Sequence, residues 1–219
     1  MTFSDRARAH VEQRLPAAAA HSPEEMFLRL LERGADARAA GNYGIAAAYV
    51  LRAGGRELVA FGENSVFSES DPAGHAEMNA MRLARTLALA GEAERRRLLG
   101  DARRVLVRDA PHDRLETLLY STLEPCPMCT VAIVNAGVEE VLVAQEDADA
   151  GTLLHLDRLP PLWPDFARQR GLRVTRAALP RQLDELLERL FLDDKDNLDR
   201  RLGEAPVLPV QALAQLLRQ

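Results

Sequence analysis

The chain has 219 residues, which is enough for one domain with a substantial hydrophobic core. Lys and Arg number 28 and Asp and Glu number 33, and the net charge of −5 excludes a broadly basic nucleic-acid-coating protein, although not one with a local basic groove. No apolar run approaches the roughly 20 residues of a membrane-spanning helix, and the polar N-terminus has no signal-peptide core, so the sequence predicts a cytoplasmic protein with no membrane partner.

The N-terminal half alternates predicted helices and strands. Residues 1–21 are predicted to form a weakly structured or helical arm, and Ser22 before Pro23 is the N-cap pattern of a helix that ends near residue 40. The apolar run 43–51 and the segment 57–62 are typical of two strands joined by a Gly-Gly hairpin turn. Residues 75–90 have the apolar spacing of a helix.

The stretch 91–114 is rich in arginine and in acidic residues. We interpret it as a solvated insertion, with a short strand at 105–107 as the alternative for part of it. A nucleic-acid contact is the weaker interpretation, because no aromatic residues are interleaved with the arginines.

The C-terminal half predicts three further strands at 115–123, 138–145 and 172–175. Helices are predicted at 127–136, 165–170 and 183–192, followed by a charged linker from residue 193 and a last helix at 210–217. The helix between the last two strands predicts that they run parallel, since a parallel pair needs a crossover. Alternating strands and helices indicate an α/β domain with helices on both faces of one sheet.

The two cysteines, Cys126 and Cys129, lie where a predicted helix follows a strand. Pro127 fits the first helical position, so both sulfurs lie on one face at the positive end of the helix dipole. This arrangement favours thiolates and suits a soft metal ion, zinc above all. Two thiolates do not fill a zinc site, and a further soft ligand would have to be a histidine.

His75 differs from the other four histidines because it begins a second predicted helix and Glu77 follows it. Residues i and i+2 of a helix point in different directions, so His75 can bind a metal while Glu77 approaches a group bound to that metal. Three protein ligands leave a fourth position open, which is typical of catalytic zinc, and a nearby carboxylate can carry protons.

His75-Ala76-Glu77 followed by Pro125-Cys126-Pro127-Met128-Cys129 resembles the zinc deaminase signature H-x-E…P-C-x-x-C. Segments 71–78 and 122–129 are similar to those of guanine deaminases and tRNA adenosine deaminases, and the order of elements agrees over about residues 24–177. The resemblance implies a three-layer α/β/α cytidine deaminase-like fold with a five-stranded mixed sheet. It also implies a deaminase domain at 22–180, with the insertion at about 91–114 and a C-terminal helical extension at 181–219.

The resemblance further implies roles for individual residues. His75, Cys126 and Cys129 would hold Zn²⁺, and Glu77 would carry protons between the attacking water, the ring and the departing ammonia. Backbone N–H groups near Ala76 and Cys126 would hold the oxygen of that water.

Two residues are expected at the substrate. Asn64 stands where the family places an asparagine that contacts the base or sugar, with a turn asparagine as the alternative. Tyr43 lies in a segment that departs from its relatives, and it would present a hydroxyl at the pocket wall or be a core tyrosine.

We therefore expect zinc-dependent hydrolytic deamination of a nucleobase, a nucleoside or a related small heterocycle by a homodimer. A deaminase acting on RNA or single-stranded DNA is the alternative. It is disfavoured by the acidic balance and by the lack of the aromatic, arginine-rich terminal helix that is typical of tRNA adenosine deaminases.

Two readings belong to other classes of protein. A noncatalytic zinc-stabilised binding module would not need Glu77, and a redox pair of Cys126 and Cys129 would leave both His75 and Glu77 unexplained.

Overall fold

A computed structural model of the chain describes residues 2–210 and 215. Within this part of the chain, six strands form one mixed sheet in the order β3-β2-β1-β4-β5-β6. The strands are β1 (Ala46–Ala53), β2 (Arg56–Glu63), β3 (Val105–Asp109), β4 (Glu116–Leu123), β5 (Glu140–Gln145) and β6 (Arg173–Arg176).

The centre of the sheet changes from antiparallel to parallel pairing at β4. β1 pairs antiparallel with both β2 and β4. β4, β5 and β6 run parallel to one another, which confirms the predicted parallel pairing of the last two strands. The β1–β2 hairpin turns at Gly54 and Gly55, whose φ angles of 55° and 73° lie in the left-handed region that favours glycine.

The prediction of five strands was wrong, because β3 adds a sixth strand at the edge, where a short strand at 105–107 was predicted only as an alternative. It pairs antiparallel with β2, from Arg56 opposite Asp109 to Ala60 opposite Val105. The surrounding stretch 91–114 is therefore not simply a solvated insertion, since it also contains a helix. An edge strand that buries few of its side chains accepts charged residues, and so its sequence lacks a clear apolar alternation.

The helices cover both faces of the sheet. One face is covered by α1 (Phe3–Arg14), α2 (Pro23–Ala39) and α7 (Arg181–Glu204). The other is covered by α3 (Ala76–Leu89) and α5 (Pro127–Ala136), and α6 (Leu162–Gln169) packs against α5. α4 (Glu92–Leu99) leads into β3. Successive side chains of β1 point to opposite faces of the sheet. Ala48 and Val50 pack on the side of α1, α2 and α7, whereas Ala47 and Tyr49 pack on the side of α3. Two 3₁₀ turns lie at Leu15–Ala17 and Leu156–Arg158.

The N-terminal arm is helical and packs on the core. Phe3, Ala7 and Val11 of α1 join the main apolar cluster on α2. The predicted start of α2 is confirmed, because the side chain of Ser22 accepts a hydrogen bond from the backbone N–H of Glu25.

The C-terminal segment differs from its predicted charged linker at residue 193. α7 continues for 24 residues without a break. Its charges form pairs at i and i+4, such as Lys195 with Asp199, and Asp194 also pairs with Arg38 of α2. The predicted helix at 210–217 lies largely outside the described residues, and the division of the chain at 21 and 180 stays a prediction. None of the described helices combines the length and the apolar composition that crossing a membrane requires.

Candidate active site

The predicted functional residues meet at the carboxyl end of β4, where α3 and α5 begin. Gly62 of β2 brings α3 directly onto the sheet, because a Cβ at this position would overlap the carbonyl oxygen of Ala76 and the backbone nitrogen of Ala80. α5 starts at Pro127, immediately after the chain leaves β4. The two helix N-termini are therefore fixed by backbone packing.

His75 and Cys126 are the N-cap residues of α3 and α5, as the position of Pro127 predicts for Cys126. Nδ1 of His75 lies 3.6 Å from Sγ of Cys126. Ligand atoms of His75, Cys126 and Cys129 all lie within 4.8 Å of one another. Tetrahedral zinc, with Zn–N of about 2.0–2.1 Å and Zn–S of about 2.3 Å, separates a nitrogen from a sulfur ligand by about 3.6 Å. The three donors thus fit a zinc ion.

The electrostatics of this cluster favour a thiolate at Cys126. A hydrogen bond from Cys129 lowers the pKa of Cys126 to about 4, against the effect of burial, and His75 adds to the shift. The same contact with Cys126 raises the pKa of His75. A thiolate is the form of cysteine that binds metal.

Glu77 lies in the first turn of α3 and is buried beside the three donors. Its Oε1 accepts a hydrogen bond of 3.2 Å from the hydroxyl of Ser121 on β4, and its Oε2 lies 3.5 Å from Sγ of Cys129. Burial raises the pKa of Glu77, which suits a group that accepts and returns a proton. Sequence reasoning missed Ser121, because its hydroxyl is one of four in β4, with those of Thr117, Tyr120 and Thr122, and no local pattern distinguishes it.

A cavity of about 290 Å³ opens in front of this cluster, with His75, Glu77 and Cys126 in its wall. Asn64 and Tyr43 also line it, whereas Ala76 does not. Ala76 lies behind the cluster with its methyl group packed on Ala47 and Ala80, so only its backbone faces the first turn of α3.

Asn64 takes part in a turn and also lines the cavity. Its Oδ1 accepts a hydrogen bond of 3.3 Å from the backbone N–H of Val66, while its Nδ2 makes no hydrogen bond within the described part of the chain. Asn79 holds the loop that follows Asn64, because its Nδ2 donates to the carbonyl oxygen of Glu63 at 2.8 Å and to Oγ of Ser65 at 3.0 Å.

Tyr43 places its hydroxyl at the cavity wall, but this hydroxyl is already engaged. It donates a hydrogen bond of 2.7 Å to Oδ1 of Asp199 on α7. Its ring packs between those of Phe67 and Phe191, with centroid distances of 5.9 and 6.3 Å. Tyr43 therefore joins the cavity wall to α7.

Comparison with known proteins places this geometry in a family. Residues 21–145 match the family model of the cytidine and deoxycytidylate deaminase zinc-binding region. The chain belongs to this deaminase family. The family resemblance expected from the two motifs is confirmed, and with it an enzyme of the zinc-dependent hydrolase class whose cofactor is zinc.

Individual relatives of this deaminase have different names. The tRNA-specific adenosine deaminase of Haemophilus influenzae is 27% identical over 171 residues, which cover 77% of this chain and 82% of that protein. The guanine deaminase of Bacillus subtilis is 31% identical over 93 residues, or 42% of this chain and 46% of that protein. The solved structure of guanine deaminase from Nitrosomonas europaea is similar with a TM-score of 0.53 and 25% identity, over 79% of this chain and 86% of that one.

Helix α7 forms part of the cavity wall of this deaminase. Sequence reasoning predicted the first part of this helix but not its role at the cavity. Phe191, Lys195 and Asp199 line the cavity at intervals of four residues, on one face of the helix. Nζ of Lys195 lies 2.9 Å from Asp149, after β5, and 2.6 Å from Asp199. The spacing of four residues between these three side chains was the available signal, but the high charge of the segment from residue 193 suggested a linker.

Proposed function

We propose that the chain catalyses the zinc-dependent hydrolytic deamination of a small aminated heterocycle, a nucleobase or a nucleoside, and releases ammonia. The observation that supports this most is the position of Glu77, which is buried against the three donor residues at the wall of the cavity. A carboxylate is not needed at this point for zinc to stabilise a fold. Its position suits proton transfer to and from a bound molecule.

His75, Cys126 and Cys129 would hold the metal, with the sulfur of Cys126 poised as a thiolate. Zinc bound there supplies Lewis-acid chemistry, which lowers the pKa of water to near neutral. The reaction replaces the amino group of a ring carbon with the oxygen of water and releases ammonia.

Glu77 would carry the protons of this reaction. It takes one proton from water as the oxygen attacks the ring carbon and gives that proton to the ring nitrogen. It then takes the remaining proton of the added hydroxyl and delivers it to the amino group, which leaves as ammonia while the ring carbon becomes a carbonyl. The hydroxyl of Ser121 fixes one carboxylate oxygen, so that the carboxylate has a defined orientation during these transfers. The backbone N–H groups at Ala76 and Cys126 would hold the water oxygen, and Nδ2 of Asn64 would orient the ring.

A substrate within RNA or single-stranded DNA is the less favoured alternative. A volume of about 290 Å³ lies at the lower end of the roughly 300–1,000 Å³ that is usual for small-molecule sites. α7 lies across the same cavity, where an extended strand would have to pass.

The test is ammonia release by the zinc-loaded protein from adenine, guanine and cytosine, each as base, nucleoside and nucleotide, and from single-stranded oligonucleotides. Turnover of one small molecule that disappears in Glu77→Ala, with the zinc content retained, is the expected result. Activity on oligonucleotides alone would establish the nucleic-acid alternative. Stoichiometric zinc without turnover of any substrate would contradict the proposal.

A homodimer and a location in the cytoplasm also belong to the proposal, and both rest on the sequence and its family resemblance. Sedimentation velocity of the full chain tests the first directly. A single species at 24.2 kDa would contradict the dimer.

A further inference from the structure

The cavity in front of the zinc-binding residues has an unusually acidic wall. Its described lining contains one lysine, Lys195, and no arginine. It also contains five carboxyl groups, those of Glu77, Glu124, Asp147, Asp149 and Asp199. A cavity built for a phosphorylated substrate would instead offer arginine, lysine or unpaired backbone N–H groups.

Two of these carboxylates, those of Glu124 and Asp147, are buried, and neither forms a salt bridge within the described part of the chain. Glu124 accepts hydrogen bonds from the backbone N–H groups of Leu154 at 2.9 Å and Asp147 at 3.2 Å. Asp147 in turn accepts from those of Asp149 and Ala150, both at 3.1 Å. Both side chains are thus fixed in place beside the cavity and cannot turn away from an approaching anion.

Lys195 is the one lysine in the described wall of the cavity, and its charge is already compensated. Its Nζ lies 2.9 Å from Oδ2 of Asp149 and 2.6 Å from Oδ2 of Asp199. Asp199 is itself held by the hydroxyl of Tyr43. Two carboxylates for one ammonium leave this part of the wall with a net negative charge, and Lys195 is not available to a phosphate.

We propose that α7 and the loop after β5 make this deaminase select uncharged heterocycles, free bases or nucleosides, and reject their 5′-monophosphates. This inference rests on the proposed function and deepens it. A phosphate near the mouth of the cavity would meet like charges at Asp149 and Asp199, and binding would bring them together without a compensating cation. Asp149 is then a specificity-determining residue, because it pairs with Lys195, the single lysine in the described lining of the cavity.

The test compares adenine, guanine and cytosine as base, nucleoside and 5′-monophosphate. Ammonia release by wild type gives kcat/KM, and equilibrium dialysis on zinc-loaded Glu77→Gln gives binding without turnover. We expect the uncharged forms of the accepted ring to exceed the monophosphate at least about 100-fold in both measurements. The preference should weaken at about 0.5 M salt, because salt screens repulsion between exposed charges.

Asp149→Asn frees Lys195 from one carboxylate and is expected to reduce this preference about tenfold. Asp109→Asn is the matched control, because Asp109 is an exposed residue at the end of β3 and its substitution changes the net charge equally. It should leave the preference unchanged.

The outcomes separate the inference from the function on which it rests. Equal use of base and monophosphate would overturn the selectivity while the deaminase proposal stands. A preference insensitive to both salt and Asp149→Asn would overturn its electrostatic basis, since steric exclusion would then explain it. Selective binding of uncharged rings without ammonia release by wild type would overturn the proposed function and leave the selectivity.

Discussion

At the scale of single residues, Asn64 illustrates how one side chain serves a turn and a cavity. Its Oδ1 accepts a hydrogen bond from the backbone N–H of Val66, its Nδ2 makes no hydrogen bond within the described part of the chain, and the residue lines the cavity. Asn64→Asp keeps the acceptor and removes the donor, so we expect KM to rise about tenfold or more, as for a lost buried hydrogen bond. The thermal midpoint should change little.

Asn64→Ala is the comparison, because it removes both ends of the side chain. It should raise KM and also lower the thermal midpoint. A normal KM in Asn64→Asp, measured by steady-state kinetics on the accepted substrate, would reduce Asn64 to a turn residue.

Variants of the zinc-binding residues should differ from variants of Glu77 in the amount of zinc that they retain. Cys126→Ser and His75→Gln remove donors, so they are expected to lose zinc on dialysis, whereas Glu77→Gln should keep one zinc per chain. Chelation should lower the thermal midpoint of wild type and Glu77→Gln but not of the donor variants. A ligand at about 1,000 times its Kd stabilises the folded state by about 4 kcal/mol. Stoichiometric zinc in Cys126→Ser would remove that residue from the proposed site.

At the scale of elements, α7 reaches the cavity because two glycines admit it. A Cβ on Gly44 would overlap the backbone oxygen and side chain of Leu190, and a Cβ on Gly34 would overlap the same leucine. Overpacking of this kind costs about 1–3 kcal/mol. Gly44→Ala should therefore lower the free energy of unfolding by about 2 kcal/mol and raise KM, because α7 carries part of the cavity wall.

Gly203→Ala is the control for this prediction. A Cβ on Gly203, near the end of α7, meets nothing within 4 Å, and alanine favours a helix interior. Urea unfolding and steady-state kinetics together measure both effects. A Gly44→Ala variant with the stability and KM of Gly203→Ala would show that α7 does not depend on this contact.

The sequence could predict the parts of the site that depend on local spacing, but not the contacts between distant elements. His75, Glu77, Cys126 and Cys129 were predictable, because their chemistry depends on spacings of two and three residues at helix starts. The hydrogen bond from Tyr43 to Asp199 joins residues 156 positions apart, and no local pattern marks such a pair. β3 escaped the prediction of five strands for a related reason, since its pairing with β2, and not its own composition, defines it.

At the scale of the whole molecule, a buried ion network ties α2 to the sheet. Arg108 of β3 donates to Glu57 of β2 and to Glu25 of α2, both at 2.6 Å. Arg52 of β1 joins Glu57 at 2.6 Å and Glu116 of β4 at 2.8 Å. The edge strand β3 therefore supplies a cation on which the charges of two other elements depend.

Arg108 should accordingly control the acid stability of the fold. Burial would raise the pKa of Glu57 and Glu25, but hydrogen bonds from arginine outweigh it and hold both pKa values below the usual range. Their stabilisation is present above the unfolded value of about pH 4.3 and is lost as the pH falls through the folded values. Arg108→Gln should lower the free energy of unfolding by about 3 kcal/mol at pH 7, and this free energy should then fall less steeply below about pH 4.3.

Arg56→Gln is the control, because it breaks an exposed pair with Asp109 and should keep the wild-type acid slope. Zinc release at low pH affects both variants alike. Urea unfolding from pH 7 to pH 3 decides, and an unaltered acid slope in Arg108→Gln would contradict the role of this network.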